Sequence, residues 1–315
     1  MHKVLHTSDL HGSTICFEKL IEVAAASNAN AVVISGDLTG KFFVPIIQLR
    51  GGLYESYVGE IKETAKDGDE LADLERRIST LGGYSKVFSK EEFVHFKDCN
   101  GDQLELFDKE MRHRLQEWLW YAARKLRPLG VRLLITAGND DVWSIDDLLR
   151  ADPYVEAIDF GPVTLWEDCE VIGESYGNPT PYHCPRDVSE RELKARLAGK
   201  MSNLKKPEGA ILVAHVPPYN SGIDSAPKLD SERRPIVKGG QILMAPAGST
   251  AVREVIEEYQ PLVSLHGHIH EDPGKGTIGK TVCFNPGSEY HNGTLRGIVI
   301  RFDSGKITGW NRIER

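Results

Sequence analysis

Lys3-Val4-Leu5-His6-Thr7-Ser8-Asp9-Leu10-His11 is an apolar, β-branched run that passes directly into an aspartate and a histidine one residue apart. The same device recurs four times. Ala31-Val32-Val33-Ile34-Ser35 runs into Gly36-Asp37, residues 131–136 into Gly138-Asn139-Asp140-Asp141, residues 210–214 into His215, and Leu262-Val263-Ser264-Leu265 into His266-Gly267-His268-Ile269-His270. Short continuous apolar runs bounded by turn residues read as buried strands. A strand is rigid and the loop after it is exposed, so polar side chains placed there converge along one sheet edge. That edge is where open α/β sheets bind ligands.

Further strand-like runs lie at 170–173, 281–284 and 297–302. Between them stand helix-like segments at 17–26, at 189–197 and at 252–259. The second opens on Ser189-Glu190-Arg191-Glu192, a capping-box pattern, and Ser249-Thr250 cap the third. The alternation predicts an α/β fold, read as a single domain over 1–315. Residues 41–103 interrupt the rhythm. There Ile61, Ala65, Leu71, Leu74, Ile78 and Leu81 form a broken helical stripe among dense charges, between the pairs Gly51-Gly52 and Gly82-Gly83. We read this stretch as a helical insertion serving as a lid, a cap or a dimer contact, which leaves room for a homo-oligomer. Phe107, Met111, Leu115, Trp118, Leu119, Ala122 and Leu126 make a cleaner stripe, expected to pack on the sheet.

A net charge of −8 disfavours adhesion to nucleic acid or an anionic membrane, since both rely on basic surface. It leaves room for a small phosphate-bearing substrate, because bound dications reverse the local field. Five dispersed cysteines make poor material for a disulfide framework, and no apolar stretch reaches the length of a membrane span. The expectation is a cytoplasmic protein.

Carboxylate, imidazole and amide oxygen together suit Mn²⁺, iron or Zn²⁺, and no cysteine joins the set. Taken singly, each piece has a plain alternative. Asp-x-His after a strand can be a turn aspartate beside a core histidine, and Gly-Asp is often only a turn. Five in order, each at a strand end, resemble the calcineurin-like metallophosphoesterase superfamily, whose pattern is D-x-H, G-D, G-N-H-[ED], H and G-H-x-H. The motifs span Asp9 to His270. Asn285-Pro286-Gly287-Ser288 is further similar to small prokaryotic members related to cyclic-nucleotide phosphodiesterases.

The resemblance implies two packed, largely mixed sheets flanked by helices in four layers. It also implies two divalent metal ions and phosphodiesterase or phosphomonoesterase chemistry. Asp9, His11 and His270 would hold one ion, and Asn139, His215 and His268 the other. Asp37 would bridge them, with a water or hydroxide completing the pair. The family usually has histidine after the motif-three asparagine; here Asp140 stands there, and Asp141 matches the following acid as a support behind the ligands. A bare carboxylate at that place repels phosphate. Poor leaving groups are therefore expected to leave slowly, and activated aryl phosphates relatively faster. The competing readings are a nuclease of the same superfamily, disfavoured by the acidic balance, and a weakened scaffold, disfavoured because every ligand position is filled.

Overall fold

The alternating strand pattern becomes two six-stranded sheets in the computed structural model, which describes residues 1–167 and 169–315. The first has the order Lys306–Glu314, Arg296–Asp303, His2–Thr7, Ala31–Ser35, Arg132–Thr136, Val155–Ala157. The second runs Gly274–Ile278, Thr281–Asn285, Val263–Leu265, Ile211–Ala214, Cys169–Glu174, Val163–Trp166. In each, four adjacent strands are parallel and the other two are joined by antiparallel pairings, so both sheets are mixed.

Strand alternation sorts the apolar side chains into layers. Val4, Ala31, Val33 and Leu134 face Val171, Ile211, Val213 and Val263 between the sheets. Their neighbours Leu5, Val32 and Leu133 point outward, onto helix α1 (Thr14–Ala26) and a long later helix of residues 100–126. Phe17 stacks on Trp118 at that contact, with ring centroids 4.5 Å apart. On the far side, Ile172 and Leu212 pack against the helices Glu190–Ser202 and Thr250–Tyr259. The result is the four-layer helix–sheet–sheet–helix sandwich that the motifs imply.

The capping pattern at 189–192 is divided between two helices. Ser189 accepts the Glu192 N–H at 3.2 Å, whereas the Glu190 carboxylate reaches across to Ser249 Oγ at 2.6 Å and the Ala251 N–H at 2.9 Å. A protein carboxylate thus fills the anion-attracting helix start at Ser249.

The insertion differs from its expected helical character. It carries a four-stranded sheet, in the order Ile61–Lys66, Leu53–Val58, Phe43–Gln48, Tyr84–Phe88, with α2 (Asp69–Thr80) packed on it and α3 (Lys90–Asp98) following. The supposed helical stripe is split: Ile61 and Ala65 lie in a strand, while Leu71, Leu74 and Ile78 lie in α2. Val58 pairs with Ile61 across Gly59-Glu60, and Gly59 takes the positive φ (63°) that a two-residue hairpin loop requires. Helix α4 (Asn100–Leu126) then starts inside the expected insertion and carries the chain back to the sandwich. Among the described residues no helix is long and apolar enough to cross a membrane.

Candidate metal centre

Asp9, His11, Asp37 and Asn139 follow strands of the first sheet; His215, His268 and His270 follow strands of the second. The loops zip together through backbone hydrogen bonds: Asp9 N–H to Gly36 O at 2.9 Å, His11 N–H to Asp37 O at 2.9 Å, Gly12 N–H to Leu38 O at 2.8 Å. Asp9, His11, Asp37 and His268 have φ of 55°, 43°, 51° and 68°. Non-glycine residues rarely adopt such values, and surrounding structure must hold them there.

The structure brings all seven side chains to one place. Asp37 stands between two groups, with Oδ2 at 3.6 Å from His11 Nε2 and Oδ1 at 3.3 Å from His215 Nε2. Asp9 Oδ1 lies 3.4 Å from His270 Nε2 and 3.9 Å from His215 Nε2. His11 and His270 oppose their Nε2 atoms at 3.2 Å, and His268 Nδ1 is 3.1 Å from Asn139 Oδ1. Two motif glycines make this approach possible. A Cβ on Gly138 would sit 2.0 Å from Asp37 Oδ1, and one on Gly267 would sit 2.4 Å from Asp9 Oδ2.

This donor set demands positive charge. Burial alone would raise the Asp9 and Asp37 carboxyls, but His270 beside Asp9 and His215 beside Asp37 hold both well below the usual range. Burial would lower His215, yet Asp37 pushes it up to about 10. His11 and His268 go the other way, to about 3 and about 4, chiefly through burial. Two buried carboxylates thus draw protons onto imidazoles, and a dication would displace them. His215 donates Nδ1–H to Ser35 O at 2.7 Å, which leaves Nε2 facing Asp37 and Asp9 as the atom a metal would take once its proton is displaced. That Nε2 is buried and makes no hydrogen bond. Two imidazole nitrogens on one ion, each at about 2.0–2.1 Å, come as close together as His11 and His270 do. The residues fit a pair of dications.

Asp141 faces away from this cluster. It is buried and accepts from Leu38 N–H (3.0 Å), Thr39 N–H (2.9 Å), Thr39 Oγ1 (2.6 Å) and Gly138 N–H (2.8 Å), tying the Asp37 loop to the Asn139 loop. Asn285 and Ser288 brace from below, Asn285 donating to Ile269 O at 2.8 Å and Ser288 to Asp9 O at 2.7 Å. His6 is a core residue bonded to Ser35 Oγ at 2.8 Å, and His266 is bonded to Ala214 O at 2.8 Å.

Three neighbours escape sequence reasoning. Asp187 accepts Asn139 Nδ2–H at 2.9 Å, together with Thr180 N–H and Cys184 N–H, and so aims the Asn139 oxygen at His268. Tyr290 packs its ring 4.7 Å from that of His11. Lys41 pairs its ammonium with Asp140, so the carboxylate expected to be bare is neutralised. A lysine four residues after the Gly-Asp motif was the one available signal.

The uncharacterized protein MJ1162 of Methanocaldococcus jannaschii is 30% identical over 177 residues, 55% of this chain and 72% of that protein. One solved crystal structure matches 99% of this chain and 98% of its own at a TM-score of 0.54 and 18% identity, a likeness of fold. The crystal structure of TT1561 of Thermus thermophilus matches 94% of this chain and 93% of its own, at a TM-score of 0.49 and 13% identity. No model of a known protein family matches the chain.

Proposed function

The chain belongs to one family with MJ1162 and, by its fold and its ordered motifs, to the calcineurin-like metallophosphoesterase superfamily, and from that premise we propose that it hydrolyses small phosphomonoesters or phosphodiesters with two divalent metal ions. One observation carries the reading: the Asp37 carboxylate turns one oxygen toward His11 and the other toward His215, joining two ligand groups. Asp9, His11 and His270 would hold one ion, Asn139, His215 and His268 the other, and Asp37 both. When bound, such a pair supplies a water acidic enough to attack near neutral pH and neutralises the charge of the phosphate.

The protein's own part is placement. The zipped loops keep the seven donors in register before substrate arrives, which is the preorganisation that electrostatic catalysis requires. Asp141 and Asp187 hold the Asn139 loop from two sides. Asp140 presents its N–H to Asp37 Oδ1 at 3.1 Å, fixing that carboxylate's rotation. The test is metal analysis of the purified protein combined with a screen of mono-, di- and cyclic-nucleotide esters. Two equivalents of Mn²⁺, iron or Zn²⁺ per chain with turnover are expected. Stoichiometric metal without turnover on the whole panel would leave a binding protein in place of an enzyme.

A further inference from the structure

The chain enters the insertion at Gly40 and passes the same point again at Gly82 before its last strand, and both glycines pack beside the His11 loop. Gly40 donates its N–H to Tyr84 Oη at 2.8 Å. A Cβ on Gly40 would lie 1.7 Å from the Gly82 carbonyl oxygen, and one on Gly82 would lie 2.0 Å from the His11 carbonyl oxygen. Lys41 therefore starts from a pinned backbone. Its side chain is 51% exposed, whereas that of its partner Asp140 is 24% exposed, so the ammonium stands on the solvent side of the pair. Burial would lower its pKa, but Asp140 first, then Asp37 and Tyr290, raise it above the usual lysine range. Asp140 also lies close enough to His11 and Asp37 for their ligand atoms to fall within 4.8 Å of one another, which sets Lys41 at the edge of the centre.

Resting on the phosphoesterase reading, we infer that Lys41 binds a terminal oxygen of the phosphoryl group, that Asp140 is the residue positioning it, and that the pair favours phosphomonoesters over phosphodiesters. A cation is needed here because the motif-three position lacks its imidazole. A lysine ammonium is a compact point charge with three donors, so it can hold a phosphate oxygen on one N–H while Asp140 keeps another. A monoester dianion carries a second negative charge and a third terminal oxygen; a diester has neither. An added cation is worth more to the monoester for both reasons.

The experiment compares the metal-loaded protein with Lys41→Met and Lys41→Arg. It measures kcat/KM on p-nitrophenyl phosphate and on bis(p-nitrophenyl) phosphate, the Kd of inorganic phosphate by calorimetry, and metal content. Lys41→Met is expected to lower the monoester value by about 10–100-fold and to weaken phosphate binding by about 10-fold, the worth of one charge-assisted hydrogen bond. The diester value should fall less than about 3-fold by the same reckoning, with metal content unchanged. Lys41→Arg should recover part of the loss, since it keeps the charge. Equal losses on both esters, or an unchanged phosphate Kd, overturn the role of Lys41. Should the wild type hydrolyse neither ester, the proposed function fails, while the phosphate Kd of wild type against Lys41→Met still decides whether Lys41 binds phosphate.

Discussion

The sandwich and the insertion bury their strands in different ways. Every residue of Ala31–Ser35 and of Ile211–Ala214 is buried, because each sheet has a partner sheet on one face and helices on the other. In the insertion, Leu53–Val58 buries only Tyr54 and Ser56, and Ile61–Lys66 only Ala65. The cluster between the two large sheets contains 16 buried residues, that of the insertion six. A unit with so little buried apolar surface opens locally at lower free energy. The ligands that must not move therefore sit on the sandwich, while Lys41 stands at the junction where the softer unit begins.

The comparison breaks first at Asp37. Asp37→Asn removes the charge both ligand groups share, and kcat/KM is expected to fall by at least about 10³-fold, with metal content dropping below two per chain. Hydrogen exchange across 43–88 should not change; an altered pattern there would mean that the two units are one cooperative body. The converse probe is Leu74, fully buried in the insertion core. Leu74→Ala should destabilise the insertion by about 2–5 kcal/mol, speeding exchange at 43–88 and leaving the strand amides of the sandwich protected. A matching loss of protection at 31–35 would put both units in a single folding transition.

The same contrast explains what could be read in the sequence. Strands buried on both faces are written as unbroken apolar runs, and each run at 31–35 or 211–214 ends on a ligand, so fold and centre were both legible there. In the insertion only one face is covered. Glu55, Lys62 and Lys66 occupy the open face while Glu63 interrupts the covered one, and together they hide the two-residue period, so Ile61 and Ala65 merged with α2 into a false helical stripe. Contacts made by chain return are also invisible. Lys41 has meaning only because Gly82 comes back against His11, and Asp187 meets Asn139 from 48 residues away.

That distant contact gives the next test. Asp187→Ala leaves Asn139 Nδ2 without its acceptor and frees the 180–184 loop, while removing no candidate ligand. Metal affinity should fall about 10–100-fold, as when the partner that orients a ligand is lost. Asp187→Asn, which keeps one acceptor oxygen but turns an amide NH2 on the other set of donors, should recover only part of it. The measurement is competition against a chelator, reading the weaker of two sites. Equal affinity in wild type and Asp187→Ala would show that the sandwich loops hold Asn139 unaided.

The smallest effect expected concerns Asp140, where the two regions touch. The carboxylate does two opposed things: it tethers Lys41, and it occupies the place from which an imidazole could donate a proton to the leaving oxygen. Asp140→His loses the tether and gains the donor. Proton donation matters only when the leaving group is a poor one, so the two consequences separate by substrate. For p-nitrophenyl phosphate, whose phenolate leaves unaided, loss of the Lys41 tether dominates and the rate should hold or fall. For an alkyl phosphate, the imidazole should raise kcat, and the ratio of alkyl to aryl rates should grow by about 10-fold, below the roughly 10²–10⁴-fold of an optimised acid. The double variant Lys41→Met/Asp140→His sharpens the point, because without the ammonium the tether is no longer at stake. Its alkyl-to-aryl ratio should match that of Asp140→His alone. An unchanged ratio in both variants would mean that Asp140 costs the enzyme no acid catalysis, and that the sandwich and the insertion share the phosphate through charge alone.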